Sequence, residues 1–122
     1  MTLKFTIPGR LPGLNEYINA ERRNKHMAAK MKRQTEENIM WQLTRHKAKF
    51  SKPVFISYHW IEKDRRRDKD NIAFAKKFIQ DALVRAKILK NDGWNEIADF
   101  RDKFGVDGKN PRIEVTITEV QK

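Results

Sequence analysis

Residues 54–61 leave this chain few ways to fold. Val54, Ile56, Tyr58 and Trp60 alternate with the residues at positions 55, 57, 59 and 61, which include a phenylalanine and an isoleucine. Nearly all of these residue types favour β-strands. Because apolar side chains occur in both alternating sets, we predict a strand that is buried on both faces. A chain of 122 residues has room for one hydrophobic core, so a single domain spanning residues 1–122 is expected.

The other patterns predict two helices and three further strands. Alternation predicts a first strand at residues 3–7, and residues 10–17 are expected to form a loop. Long helices are predicted at residues 19–49 and 71–87, the second with Asp70 as its N-cap. Two more strands are predicted near residues 96–104 and 112–119. The expected fold is an α/β domain, a mixed sheet of about four strands with two main helices packed on it.

The charge of the chain indicates its class of partner. Lysine and arginine number 27 against 16 aspartate and glutamate residues, a formal net charge of +11. Such an excess on a small domain is typical of nucleic-acid-binding proteins, because much of their affinity comes from neutralised phosphates. A basic surface that only faces solvent is the alternative. There is no apolar run of membrane-spanning length and no signal-peptide core, so we expect a cytoplasmic protein without a membrane partner.

Two aspartates mark a candidate metal site. The chain has no cysteine, so a metal ligand must be carboxylate, histidine, amide or water. Asp68 and Asp70 are two residues apart at the expected start of the second helix, directly after Arg65, Arg66 and Arg67. In extended backbone such side chains point to the same side and can hold one Mg²⁺. The alternative is that Asp70 caps the helix and Asp68 neutralises the arginines.

Asp92 adds a third carboxylate. It lies in the predicted turn at residues 90–93, where no structural role requires a second acidic group. Asn71 is expected to supply an amide ligand or to hold a metal-bound water. The preceding arginines mark the place where a phosphate would approach. We therefore interpret Asp68, Asp70 and Asp92 as a Mg²⁺ site for phosphodiester hydrolysis.

These motifs also resemble those of a known family. Arg-Arg-Arg-Asp-Lys-Asp-Asn at residues 65–71, Asp-Ala-Leu at 81–83 and Ile-Leu-Lys-Asn-Asp at 88–92 resemble the signature of the RusA family of Holliday junction resolvases. Members of that family are often encoded by phages and prophages. The Pro-Gly-Leu-Asn-Glu-Tyr segment at residues 12–17 is similar to the family's proline-rich loop. The resemblance extends over nearly the whole chain, to residues 113–119.

The resemblance implies a homodimeric, Mg²⁺-dependent endodeoxyribonuclease without an organic cofactor. Such an enzyme nicks two strands symmetrically near the crossover of a four-way DNA junction, in recombination and repair. The resemblance also implies that Asp68, Asp70 and Asp92 bind the catalytic Mg²⁺ and that a lysine on the following helix assists. In the best-known members this lysine follows the asparagine more closely than Lys76 or Lys77 does. The resemblance therefore does not decide which of the two is the catalytic lysine.

Helix geometry favours Lys77 as the catalytic lysine. At about 100° per residue, Lys77 returns to the face of Asp70, whereas Lys76 is turned away. Asp81 follows Lys77 by four residues and can hold its ammonium group. Contacts with DNA are expected from residues near the motif and in the first loop, namely Arg65, Arg66, Arg67, Lys69, Lys76, Asn15 and Tyr17.

Functions from other classes are also compatible with the composition. A non-catalytic basic DNA-binding protein, accessory to recombination, would use the acidic residues only as caps. A ribosome- or RNA-associated structural protein would leave the clustered aspartates unexplained. The aromatic residues do not decide between these functions. Trp41 and Trp60 are expected in the core, and Trp94 is expected to face DNA or a second subunit.

Overall fold

The computed structural model describes residues 1–120, which form a four-stranded mixed sheet and four helical segments. In chain order the elements are β1 (Thr2–Pro8), α1 (Leu14–Arg23), α2 (Lys25–Leu43), β2 (Val54–Glu62), α3 (Lys69–Ala73), α4 (Lys76–Arg85), β3 (Ile97–Val106) and β4 (Arg112–Glu119). The order in the sheet is β1-β4-β2-β3, with β2 and β3 parallel and the other neighbours antiparallel. The α/β class and the four-stranded mixed sheet are confirmed.

Strand β2 lies inside the sheet, and its two faces differ. The residues of its inner face are at most 1% exposed and belong to the core: Val54, Ile56, Tyr58 and Trp60. On the outer face Ile61 is buried, whereas Phe55, Ser57 and His59 are only half-buried. The prediction of two buried faces is therefore wrong for most of the outer face. The buried helix residues pack in the same core cluster as the inner face, so the helices cover one side of the sheet.

The helix predicted at residues 19–49 is two helices, and the second ends at Leu43, six residues earlier than predicted. Asn24 has an extended backbone (φ −176°, ψ 138°) between α1 and α2, and its side chain accepts a 2.7 Å hydrogen bond from the N–H of His26. Because α1 begins at Leu14, Asn15 and Tyr17 lie on a helix and not in the predicted loop. Along α2 the predicted stripe is confirmed, with Ala28, Thr35, Ile39 and Leu43 buried and Met31 half-buried.

The helix predicted at residues 71–87 is also divided. Helix α3 has five residues, and Phe74 and Ala75 separate it from α4. Asp68, not Asp70, is the N-cap of α3, because the backbone turns into the helix two residues earlier than predicted. The Phe74 ring packs at 5.6 Å from that of Tyr17. Core positions predicted for this region are buried at Ile72, Ala75, Ile79, Ala82 and Leu83, and half-buried at Ala86.

The three tryptophans occupy different environments. Trp60 is buried, as predicted, but Trp41 is 74% exposed. Trp41 is two residues from both Ile39 and Leu43, which puts it on the opposite side of α2 from the buried stripe. Trp94 is 96% exposed. Between residues 1 and 120, no helix combines the length and apolar character needed to cross a membrane.

Candidate active site

The loop after β2 is anchored by a bidentate ion pair. Glu62, at the end of β2, accepts hydrogen bonds of 2.9 and 2.8 Å from Nε and Nη2 of Arg67. A further Arg67 nitrogen, Nη1, donates to the carbonyl oxygen of Leu11 at 3.1 Å. The Arg67 and Glu62 side chains are only 12% and 11% exposed. Arg67 therefore fixes the backbone immediately before Asp68 and ties it to the segment that precedes α1.

Asp68 and Asp70 face an open cleft beside this anchor. The cleft has a volume of about 860 Å³ and is also lined by Arg65, Lys69 and the last residues of β3. Both aspartates are exposed, and neither forms an ion pair within residues 1–120. The Asp70 carboxylate accepts one hydrogen bond, of 2.9 Å, from the N–H of Asn71. Their remaining oxygens are available to a cation.

Asn71, the residue after Asp70, joins the start of α3 to α1. Its side-chain oxygen accepts a 2.9 Å hydrogen bond from the N–H of Asn15. A Cβ atom at Gly13 would lie 2.6 Å from the same oxygen, so glycine is required for this close approach. The two sequence motifs at residues 12–17 and 65–71 therefore meet in space. Since the Asn71 oxygen already accepts this bond, its role as a metal ligand stays a prediction.

Asp92 lies in the turn between α4 and β3, apart from the other two aspartates. It lines a cavity of about 270 Å³. Neither cavity lined by Asp70 includes Asp92. Across residues 1–120, no three aspartate, glutamate or histidine side chains are grouped so that they could hold a metal ion. The structure thus brings Asp68 and Asp70 together and places Asp92 at a second position.

Lys77 is the basic partner of Asp92. Its Nζ lies 3.8 Å from the Asp92 carboxylate and 3.3 Å from that of Asp81. The Lys77–Asp81 pair predicted from the four-residue spacing is therefore confirmed. The other Asp81 oxygen lies 3.4 Å from Nζ of Lys32, which connects this group to α2. Lys77 itself is 58% exposed.

Lys76 and the unpredicted residue Asp102 occupy a second cavity with Asp70. One Asp102 oxygen accepts a 2.8 Å hydrogen bond from the indole N–H of Trp60, and the other contacts the Lys76 ammonium. The placement of Lys77 on the Asp70 face assumed one continuous helix, and this assumption is wrong because the helix is divided at Phe74. Lys76, and not Lys77, lines a cavity with Asp70.

Asp102 could have been found from the strand pattern. In β3 it pairs with Tyr58 of β2, on the face where the neighbouring pairs are Ile56–Phe100 and Trp60–Phe104. An aspartate at an otherwise apolar position requires a polar partner, and such a position often has a function. Burial raises the pKa of the Tyr58 phenol above its ordinary range, and the nearby charge of Asp102 acts in the same direction.

Most of the chain matches a known protein family. Residues 10–118 match the protein family described as endodeoxyribonuclease RusA. No curated protein sequence shows a significant match to the chain. The matched span is nearly the whole chain and contains the cleft, the Asp92 turn and both lysines, which confirms the resemblance seen in the motifs. This chain therefore belongs to the RusA family of endodeoxyribonucleases.

Proposed function

We propose that this protein is a Mg²⁺-dependent endonuclease that resolves four-way DNA junctions by cutting two strands. One observation carries the proposal: Asp68 and Asp70 are exposed and free of ion pairs in the described chain, in one cleft with Arg65 and Lys69. Carboxylates in a phosphate-binding surface weaken DNA binding unless a cation bridges them to the phosphate. This pair is therefore expected in a nuclease and not in a surface that only binds DNA.

The donor atoms of the cleft fit Mg²⁺, which prefers oxygen ligands. Asp68 and Asp70 would hold the ion. Asp92 does not line their cleft, so its role as a third ligand is proposed from the family resemblance and not from its position. Bound there, Mg²⁺ supplies Lewis-acid stabilisation of the charge that develops on the phosphate. Lys77, placed between Asp92 and Asp81, is proposed to offset part of the same charge.

The basic residues of the cleft are proposed to bind and orient the DNA. Arg65 and Lys69 line the cleft, Arg66 lies next to it in sequence, and all three are exposed and can neutralise phosphates. Arg67 differs because its guanidinium is committed to Glu62 and the loop backbone. We propose that Arg67 positions the Asp68 loop instead of making the DNA contact predicted for it.

The first two turns of α1 are proposed to extend the DNA-binding surface. Asn15 is exposed and is tied to Asn71 at the cleft. Tyr17 is half-buried and packs on Phe74 and Phe78 with ring centroids 5.6 and 6.0 Å apart. Its DNA contact is therefore restricted to the exposed part of the side chain.

We also propose a homodimer, because symmetric incision of a junction needs two active sites and one chain offers one. Closed two-fold pairing is the commonest form of oligomer. Light scattering is expected to give the mass of two chains for the free protein, and of two chains plus one junction for the complex. A monomeric mass under both conditions would remove the basis for paired cutting.

The function is tested with a synthetic four-way junction and a linear duplex of the same arm sequence, each with and without Mg²⁺. We expect paired nicks in the junction only when Mg²⁺ is present, and little cleavage of the duplex. Such an activity would serve DNA recombination and repair in the cytoplasm. A non-catalytic DNA-binding protein would instead bind the junction equally with and without Mg²⁺ and leave it uncut.

A further inference from the structure

Lys76 is fixed from several sides at the start of α4. Its ammonium contacts the carboxylate of Asp102 and lies 4.2 Å from the ring centre of Phe100 and 5.9 Å from that of Tyr58. The side chains of Lys76 and Asp102 are 19% and 21% exposed. A lysine held by a carboxylate and by aromatic faces has lost most of its rotational freedom before any ligand binds.

Asp102 is itself held by the core. The carboxylate oxygen that does not contact Lys76 accepts a 2.8 Å hydrogen bond from the indole N–H of Trp60. Trp60 is 1% exposed and stacks on Tyr58 with ring centroids 5.5 Å apart. The core therefore orients Asp102, and Asp102 in turn orients Lys76.

The fixed ammonium belongs to the surface that would receive DNA. Lys76 and Asp102 line a cavity of about 440 Å³ together with Asp70, Phe74 and Phe104. Asp70 also lines the larger cleft, so the two cavities adjoin at this residue. A lysine ammonium has three N–H donors. Asp102 accepts one of them, and the others are available to an anionic oxygen.

We propose that Asp102 is a positioning residue, which holds Lys76 so that its ammonium binds a DNA phosphate next to Asp70. The inference rests on the proposed function in taking DNA as the ligand of this surface. Trp60 serves the same purpose by orienting Asp102. An aspartate that faces a polyanion should weaken binding by simple charge repulsion, whereas a positioning aspartate strengthens binding. The two roles therefore predict opposite effects of removing its charge.

The test compares Asp102→Asn, Lys76→Met and the double variant. Asparagine keeps an oxygen for the Trp60 indole but removes the charge that holds Lys76, and methionine keeps the apolar stem of Lys76. Asp99→Asn is the matched control, because it removes one charge from the same strand and its carboxylate accepts only the N–H of Phe100 in the described chain. Affinity for a four-way junction is measured in metal-free buffer over a range of salt concentrations, and stability by urea unfolding.

We expect Asp102→Asn and Lys76→Met each to weaken junction binding by about tenfold. The double variant should bind no more weakly than Lys76→Met, because Asp102 acts only through that lysine. Loss of one phosphate contact should lower the slope of log affinity against log salt by about one. Asp99→Asn should bind as tightly as the unchanged protein or more tightly. If Asp102→Asn does not fold, Trp60→Phe keeps the ring, removes the indole N–H and should weaken binding in the same direction.

Two results would overturn the inference. The first is an Asp102→Asn protein, or failing that a Trp60→Phe protein, that is folded and binds the junction at least as tightly as the unchanged protein. The second is an Asp102→Asn change that still weakens binding when Lys76 is already methionine, because the aspartate would then act independently of the lysine. Cleavage is measured separately. A protein that binds with the expected pattern but does not cut would overturn the proposed nuclease function and leave this inference standing.

Discussion

The acidic residues at the start of α3 and the acidic residue before β3 have opposite electrostatic surroundings. Asp68 and Asp70 are exposed and form no ion pair within residues 1–120, although arginines line their cleft. Asp92 is half-buried, and Lys77 lies 3.8 Å from its carboxylate. Within residues 1–120, the carboxylates at the start of α3 therefore have no cationic partner, whereas the Asp92 carboxylate has Lys77. A bound metal is expected to matter most at the first region, so substitutions there should have the larger effects.

The largest effect is expected from Asp70→Asn. The change removes a metal ligand, so cleavage of the four-way junction should be abolished. It also removes a negative charge next to the phosphates, so junction affinity should be preserved or increased. Cleavage and binding are measured on the same preparations, with Asp99→Asn as the control for loss of one charge outside the cleft. Near-normal cleavage by Asp70→Asn would exclude a metal site at the start of α3.

A smaller effect on cleavage, with a clear effect on stability, is expected from Arg67→Ala. The Glu62 side chain is 11% exposed, and the change would leave its carboxylate without a cation. Breaking a buried ion pair in this way costs about 3 kcal/mol or more. The loop before Asp68 should loosen, and cleavage should fall because the carboxylates are no longer held in place.

Urea unfolding and single-turnover cleavage measure the two consequences. Arg67→Lys is the matched control, because it keeps the charge but loses the bidentate geometry, and it should recover part of the stability. If Arg67→Ala unfolds at the same urea concentration as the unchanged protein, the Glu62–Arg67 pair does not anchor the cleft. The exposed carboxylates of the first region would then be held in place by other contacts.

The parts of the fold that were predicted depend on patterns within the sequence. Residues 112–119 were predicted as a strand and form β4 with the same bounds, because alternation and a preceding turn both mark the ends. The buried face of α2 was also predicted from the sequence, because its apolar residues recur at steps of three and four residues. In contrast, the division between α3 and α4 occurs at Phe74, which packs on Tyr17 in a distant part of the sequence. Periodicity carries no information about such a contact, so a continuous helix was predicted.

The sequence predicted which residues belong to the site, but it did not predict which of them lie together in space. Asp68 and Asp70 are two residues apart in sequence, so local geometry was sufficient to place them together. Asp92 was grouped with them because its turn does not require an acidic residue, and the resemblance implied the same grouping. Its position relative to their cleft depends on how α4 and the following turn pack. Asp102 was missed because its partners, Lys76 and Trp60, are contributed by two other elements. The strand pattern marks Asp102 as a charged residue on an otherwise apolar face, but its partners are known only when the sheet and α4 are assembled.

The smallest effect is expected from Lys77→Ala, and it decides whether the Asp92 turn belongs to the catalytic machinery at all. Lys77 is 58% exposed, and its pairs with Asp81 and Asp92 are worth a few tenths of a kcal/mol each, so stability should change by less than about 1 kcal/mol. If Lys77 offsets charge on the phosphate, its loss should lower the single-turnover cleavage rate by about tenfold with little change in junction affinity.

Lys76→Ala should have the opposite pattern, because Lys76 shares a cavity with Asp70 and is inferred to bind a phosphate. Lys90→Ala, in the same turn as Asp92, controls for the loss of one positive charge. A normal rate for Lys77→Ala together with a lowered rate for Lys76→Ala would separate the Asp92 turn from catalysis and leave the cleft at α3 as the whole active site.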